Sequence, residues 1–143
     1  MAAVAATLLL WVVQPAHAIE FRSVGEPAIL FDTPSQQGKR LFIVAAGTPV
    51  EVVVDLDDWV KVRDPGGAIT WIERRALSPR RTVMITAASA VVRQRPQDDA
   101  PAVFEAARDV VLELAAAPVN GWAQVRHRDG ASGFIRVTEV WGL

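Results

Sequence analysis

The sequence contains no cysteine and no tyrosine, and only two histidines, His17 and His127. Without cysteine, the chain has no disulfide, no thiolate nucleophile and no cysteine-ligated zinc. His127 falls in a predicted turn beside Arg128, whereas a Ser-His-Asp triad needs a buried and oriented histidine. Phosphate-binding loops, dinucleotide fingerprints and metal-ligand spacings are also missing from the sequence. The sequence therefore predicts a protein that is not an enzyme, with no catalytic residue, no metal and no cofactor.

The sequence has no excess of charge of either sign. It contains 15 Lys and Arg residues and 16 Asp and Glu residues, which gives a formal net charge of −1. A near-neutral chain has no overall field that would attract nucleic acid, so no nucleic-acid partner is expected. Asp55, Asp57 and Asp58 are clustered, but they lack the spacing and the terminal glutamate of an EF-hand. This cluster is therefore predicted to be a solvated turn.

The first eighteen residues contain no charged side chain, and residues 5–13 form an apolar run. That run is shorter than the roughly 20 residues that span a bilayer. Gln14 and Pro15 end it, and Ala16-His17-Ala18 has the form of a signal-peptidase site. We expect residues 1–18 to be a signal peptide and the mature protein to be exported to the periplasm or cell envelope. Contact with a membrane would then require an uncleaved signal.

The remainder of the chain is an internal repeat. A shift of 62 residues aligns apolar and turn residues in the first part of each copy, and a shift of 63 does so in the second part. A repeat of this length governs the fold prediction. The aligned pairs include Phe21 with Val83, Leu30 with Val92, Pro34 with Pro96, Val50 with Leu112, Trp59 with Trp122, Gly67 with Gly130 and Ile72 with Ile135.

Both copies alternate apolar and polar residues with a period of two, which is typical of β-strands. Residues 58–72 and 121–135 each predict a β-hairpin, with turn residues such as Gly67 and Gly130 between two strands. A short helical turn is predicted to close each copy, at residues 73–77 and 136–140. The sequence thus predicts an all-β chain of two small barrels, each with five or six strands, at residues 19–80 and 81–143.

The order of these motifs resembles the bacterial Src-homology-3-like (SH3b) domain. The resemblance is carried by residues 49–52, by Trp59 with residues 60–67, and by Trp71-Ile72. Residues 76–82 and the closing residues 139–143 are similar to the exported tandem subfamily of that domain. The resemblance implies two tandem SH3-like β-barrels and a binding function without catalysis. Thr70 and Phe134 depart from the family pattern, which has glycine and tryptophan at these positions.

The candidate binding residues are aromatic and basic. Trp59 and Trp122 could be core residues, whereas Trp71 and Trp141 are expected to be partly exposed. The missing tyrosine disfavours the aromatic groove with which eukaryotic relatives of the fold bind proline-rich helices.

A basic run at the boundary between the copies could be a solvated surface or a clamp for a carboxylate. It consists of Arg74, Arg75, Arg80 and Arg81. Copy two has Val137 and Thr138 at the positions of Arg74 and Arg75, so copy one is predicted to carry the binding surface. The predicted site comprises Trp71, Arg74, Arg75, Trp59 and Trp141.

Two functions remain open from the sequence. The first is a binding module for cell-wall peptide or for an envelope protein, as the resemblance implies. The second is a structural or assembly subunit whose apolar faces only pack against a partner chain. Burial of Trp71 and Trp141 between the barrels would favour assembly, and an open groove beside Arg74 and Arg75 would favour binding.

Overall fold

The computed structural model describes residues 18–143, which form β-strands joined by turns and two short 3₁₀ segments. Residues 1–17 of the predicted signal peptide lie outside this described part. No helical segment within residues 18–143 has the length and the hydropathy of a membrane span. The prediction of an all-β chain is confirmed.

The first sheet, which we call unit one, has seven antiparallel strands in the order β3-β2-β6-β5-β4-β1-β7. A 3₁₀ turn at Arg74–Ala76 lies between its last two strands. The strands are β1 (Glu20–Val24), β2 (Ala28–Phe31), β3 (Arg40–Val44), β4 (Pro49–Asp55), β5 (Trp59–Arg63), β6 (Ile69–Glu73) and β7 (Leu77–Ser78).

The second sheet, unit two, repeats this order with strands β10-β9-β13-β12-β11-β8-β14. Its 3₁₀ turn is at Val137–Glu139. The strands are β8 (Thr82–Ile85), β9 (Ser89–Arg93), β10 (Ala102–Ala107), β11 (Val111–Leu114), β12 (Trp122–Arg126), β13 (Ser132–Arg136) and β14 (Val140–Trp141). The predicted division at residues 80 and 81 lies between β7 and β8 and is kept as a proposal.

Each unit buries one face of a single sheet. In unit one, Val50, Val60, Val62 and Ile72 have no exposed surface. Because no second layer covers that face among residues 18–143, the sheet must curl around its own side chains to bury them, as small barrels do. Unit two has an equivalent core that includes Val83, Ile85, Val125 and Ile135. Most of the aligned apolar residues of the repeat therefore lie in the two cores, including Leu30, Val50 and Ile72 of unit one and their counterparts Val92, Leu112 and Ile135.

The two predicted hairpins are confirmed. In unit one, β5 and β6 pair from Trp59 opposite Glu73 to Arg63 opposite Ile69. Gly67 adopts a φ of +91° in the turn, and Gly130 adopts +95° in the turn of unit two. This left-handed backbone favours glycine over other residues, which explains why both copies have glycine there.

The number of strands differs from the prediction of five or six. Each sheet has seven because a two-residue strand follows the 3₁₀ turn, and β7 pairs with β1 at Ser23 opposite Ser78. Such a short segment shows no periodicity in sequence. It becomes a strand only because the folded unit places it beside an open edge.

The two units are joined by specific contacts. The hydroxyl of Thr82 in unit two donates a hydrogen bond to the carbonyl of Gly47 in unit one (2.7 Å). The hydroxyl of Ser23 in unit one donates one to the carbonyl of Arg80 in the segment that connects the sheets (2.6 Å). The ring of Trp141 packs edge-on against Phe21, with 4.9 Å between the ring centroids. Since Thr82 and Phe21 are buried, their contacts fix unit two against unit one, and the buried Ser23 holds the connecting segment in place.

Candidate functional site

A groove on the surface of unit one contains several of the predicted site residues. It consists of two adjoining depressions of about 300 Å³ and about 450 Å³, which share Gln36, Glu73 and Arg75. We call the two depressions together the unit-one groove. Its other lining residues are Glu26, Pro27, Ala28, Ile29, Phe31, Asp58, Trp59, Arg74 and Ala76.

Strand alternation explains why Trp59 faces this groove. Val60 and Val62 on β5 are buried in the core, so their neighbour Trp59 points to the outer face of the sheet. There Trp59 lies opposite Glu73 on β6 and packs edge-on against Phe31, with 5.3 Å between the ring centroids. The indole is half-buried and remains accessible from the groove.

Arg74 is held by the loop between β4 and β5. Its guanidinium donates hydrogen bonds to the backbone carbonyls of Leu56 and Asp57 and forms an ion pair with Asp55. Arg22 also bonds to the Asp55 carboxylate, at 2.9 Å. Desolvation would raise the pKa of Asp55, but the hydrogen bonds and charges of Arg22 and Arg74 outweigh it and keep that pKa below its usual range. Arg74 therefore stabilises the loop between β4 and β5. Its guanidinium has fewer free hydrogen-bond donors for a ligand than the prediction of a carboxylate clamp assumed.

Arg75 is the freer of the two arginines, with 80% of its side chain exposed. Its Nε donates to the Glu73 carboxylate, which also accepts a hydrogen bond from the amide of Gln36. The hydrogen bond from Arg75 lowers the pKa of Glu73, and desolvation opposes this shift. The centre of the groove thus presents one guanidinium and one ionised carboxylate side by side.

The structure does not bring the other two predicted aromatic residues into the groove. Trp71 lies on the outer face of β6, beneath Lys61, whose Nζ is 5.6 Å from the ring centroid. Trp141 packs against Phe21 at the junction of the units. Both indoles are partly exposed, as predicted, but neither lines the unit-one groove.

Unit two has a smaller depression at the corresponding position, about 180 Å³ in volume, in which Arg136 covers the tryptophan. Trp122, the counterpart of Trp59, is only 7% exposed, and the guanidinium of Arg136 lies over its ring. Arg136 also pairs with the Asp98 carboxylate. A separate depression of about 260 Å³ beside Trp122 and Phe134 has no charged side chain in its lining. The two units therefore present different chemistry on the same face.

Sequence reasoning missed Phe31, Gln36 and Glu73 as groove residues. Phe31 belongs to a core-type strand, and the alternation gave no sign that its ring would meet Trp59. Gln36 lies in the loop before β3, and its bond to Glu73 spans 37 residues. The repeat offered one signal that these positions belong together. Gln36 and Glu73 align with Asp98 and Arg136 of copy two, which have opposite charges.

Comparison with solved structures finds distant likenesses. Two are structures from Trichomonas vaginalis, NlpC1 (12% identity, TM-score 0.41) and NlpC2 (13% identity, TM-score 0.40). A third is an NlpC/P60 family protein from Bacillus cereus (16% identity, TM-score 0.40). The alignments cover 95%, 88% and 85% of this chain in that order, and 50%, 49% and 56% of those proteins, so this chain spans about half their length. Comparison with curated proteins finds no match.

The comparison with protein families agrees with the repeat and with the two sheets. The model of the bacterial SH3 domain matches residues 24–79, which lie in unit one, and again residues 86–142, which lie in unit two. Together these matches cover most of the chain, and each contains one of the two predicted hairpins in full and one 3₁₀ turn. The chain belongs to the bacterial SH3 domain family and carries two copies of that domain in tandem.

Proposed function

We propose that this protein is an exported, non-catalytic binding module, and that its unit-one groove recognises a short peptide of the cell wall or of an envelope protein. The observation that carries this proposal is the open indole of Trp59 beside the charged pair Arg75 and Glu73. Small domains of this family support binding rather than catalysis, and the described residues that line the groove include no nucleophile paired with a base.

The charges of the groove suit a ligand that has charges of both signs. Glu26, Asp58 and Glu73 contribute carboxylates, and Arg74 and Arg75 contribute guanidinium groups, of which Arg74 is already bonded to Asp55. A purely anionic ligand would meet more negative than positive charge. Cell-wall stem peptides carry free carboxylates together with amino groups, so they can pair with Arg75 and with the acidic residues at once.

The aromatic floor supplies the remaining affinity. Trp59 and Phe31 form one edge-on pair, and Ile29 continues the apolar surface along the groove. Burial of a ligand methyl or methylene group against this surface contributes about 0.8 kcal/mol. A short peptide with alternating apolar and charged groups therefore matches the groove along its length.

A titration of the mature protein with a synthetic stem peptide, followed by calorimetry, tests this function. Arg75→Ala should weaken binding about tenfold, because it removes a charge-assisted hydrogen bond from a mostly exposed side chain. Arg108→Ala is the matched control, since Arg108 is exposed and lies outside the groove. The proposal fails if wild-type protein binds neither the stem peptide nor isolated peptidoglycan, or if both variants bind as wild type does.

Export is tested on protein isolated from the cell envelope. Intact-mass measurement should show a chain that begins at Ile19, as expected for cleavage after Ala18. A chain that retains Met1 in the cytoplasm would contradict the proposed localisation.

The alternative function, an assembly subunit, is favoured by one observation. Strand β3 is an edge of its sheet, and it exposes 59% of Phe42 and 79% of Ile43. Unit two has Glu105 at the position of Ile43, and a charged residue on an edge strand discourages pairing with another chain. If assembly is the function, sedimentation should detect an oligomer that Ile43→Lys converts to a monomer.

A further inference from the structure

A second groove lies at the junction of the two units and has a volume of about 740 Å³. Unit one contributes Ser23 and Gly47 to its lining, and unit two contributes Glu113 and Arg126. The contacts of Thr82 with Gly47 and of Ser23 with Arg80 lie along the same junction. We call this the junction groove; it exists only because the two units are held together.

The junction groove is rich in arginine. Arg80 reaches it from the segment between the sheets, and Arg126 and Arg128 reach it from the end of β12 and the following turn. Glu113 is the one acidic side chain among its lining residues, and His127 also lines it. Asp129 is adjacent in sequence, but its carboxylate accepts a hydrogen bond from the backbone of Ala131 and lies 3.0 Å from Nδ1 of His127.

These arginines are free to bind a ligand. Within residues 18–143, the side chains of Arg80, Arg126 and Arg128 form no ion pair and no hydrogen bond, and all three residues are exposed. In contrast, an ion pair is formed by each of Arg22, Arg63, Arg74, Arg75 and Arg136, although Arg75 uses only its Nε.

The same pair of positions behaves differently in the two units. Arg63 and Glu51 lie opposite each other on β5 and β4 and form an ion pair at 3.1 Å. Their counterparts Arg126 and Glu113 also lie opposite each other, on β12 and β11, yet they form no ion pair in the described chain. The guanidinium of Arg126 in unit two thus has no ion-pair partner among the described residues, whereas that of Arg63 in unit one is paired with Glu51.

The lining also indicates which anion would fit. Apart from His127, whose ring already packs 5.8 Å from that of Phe104, the junction groove has no aromatic ring on which a base could stack. Arginine binds phosphate with two parallel hydrogen bonds. Three arginines spread around one groove can contact more than one phosphate group at a time.

We propose that the junction groove binds a ligand that carries two or more phosphate groups, presented either by a soluble phosphate polymer or by the headgroups of an anionic membrane. This site is separate from the unit-one groove and does not depend on peptide binding there. Both sides of the junction take part, because Arg80 follows the last strand of unit one and Arg126 belongs to a strand of unit two.

Calorimetry with inorganic tripolyphosphate at low ionic strength tests the site on the mature protein. Arg80→Ala and Arg126→Ala should each weaken binding about tenfold, the loss expected for a charge-assisted hydrogen bond. Glu113→Gln should tighten binding about threefold, because it removes the one opposing charge. The double variant Arg95→Ala with Arg108→Ala removes two exposed arginines outside the junction groove, and it should bind as wild type does.

Sedimentation with vesicles then distinguishes the two sources of phosphate. Binding to phosphatidylglycerol vesicles, reduced by Arg126→Ala and absent with phosphatidylcholine vesicles, assigns the site to membrane headgroups. Tripolyphosphate binding without vesicle binding assigns it to a soluble polymer. The proposal is overturned if wild-type protein binds neither probe, or if the control double variant loses as much affinity as the junction variants.

Discussion

The guanidinium carbon of Arg136 lies 4.3 Å from the ring centroid of Trp122. In unit one the same two positions are Glu73 and Trp59, which lie opposite each other on β6 and β5. A carboxylate gains nothing by covering the face of an indole, whereas a guanidinium is attracted to it. The difference between arginine and glutamate at this position therefore explains why Trp122 of unit two is covered and Trp59 of unit one is open to a ligand.

The first prediction concerns the cover on Trp122. Arg136→Ala should lower the free energy of unfolding by about 1 kcal/mol through loss of the cation–π contact with Trp122. Urea denaturation measures this change, and acrylamide should quench the tryptophan fluorescence of the folded variant more strongly. Arg95→Ala, which removes an exposed arginine, is the control. An unchanged urea midpoint for Arg136→Ala would contradict the proposed cover.

The second prediction concerns Thr70, which is buried and whose hydroxyl has no hydrogen-bond partner within residues 18–143. Thr70→Val keeps the shape of the side chain and removes the unpaired hydroxyl, so it should stabilise the protein by about 1 kcal/mol. Unit two has Gly133 at this position, where an added Cβ would lie 2.8 Å from a side-chain carbon of Val92. The space for Thr70 is thus a particular feature of unit one.

The matched control for Thr70→Val is Thr82→Val. Thr82 is also buried, but its hydroxyl bonds to the carbonyl of Gly47 at the junction. The same chemical change should therefore destabilise the protein by about 1 kcal/mol, because it leaves that carbonyl unpaired. Thermal or urea denaturation of the two variants should give shifts of opposite sign, and shifts of the same sign would refute this account of the two hydroxyls.

The third prediction is a dependence on pH at Asp55. Arg22 and Arg74 hold the pKa of Asp55 below its usual range in the folded protein, although desolvation opposes them. A carboxylate with a lowered folded-state pKa stabilises the protein fully above its unfolded pKa of about 3.9, and this stabilisation is lost as pH falls through the folded-state pKa. Asp55→Asn should thus cost less than about 1 kcal/mol at pH 7, since the group is partly exposed and screened.

Urea denaturation at pH 7 and near pH 2 tests the effect at Asp55. The wild-type protein and Asp55→Asn should differ in stability at pH 7 and converge at the lower pH. Asp57→Asn is the control, because the Asp57 side chain forms no ion pair among the described residues and only its backbone carbonyl bonds to Arg74. A difference between wild type and Asp55→Asn that persists near pH 2 would contradict the assignment.

Much of the fold could be predicted from the sequence because local patterns and tertiary structure agree. The alternation around Val60 and Val62 gave the strands, Gly67 and Gly130 gave the turns, and the repeat gave two copies of one fold. The short strand at Leu77–Ser78 could not be predicted, since it depends on pairing with β1 in the folded unit. Local signals do not contain such long-range pairings.

The candidate site was only partly predictable, for a similar reason. Trp59 and Arg75 do lie in one groove, but Arg74 turned out to bond with Asp55 and two loop carbonyls. Adjacent basic residues suggest a clamp in sequence, yet the sequence does not show which guanidinium is already satisfied. Trp141 was placed in the predicted site as an aromatic residue that was expected to be partly exposed, whereas its partner is Phe21 at the junction.

The most direct test of the central claim is to give unit one the cover found in unit two. Gln36→Asp together with Glu73→Arg places the equivalents of Asp98 and Arg136 beside Trp59. Calorimetry with the synthetic stem peptide should then show binding weakened at least about tenfold relative to wild type, while the urea midpoint shows that the double variant is still folded. A folded double variant that binds the peptide as tightly as wild type would contradict the claim that the open Trp59 groove is the binding site.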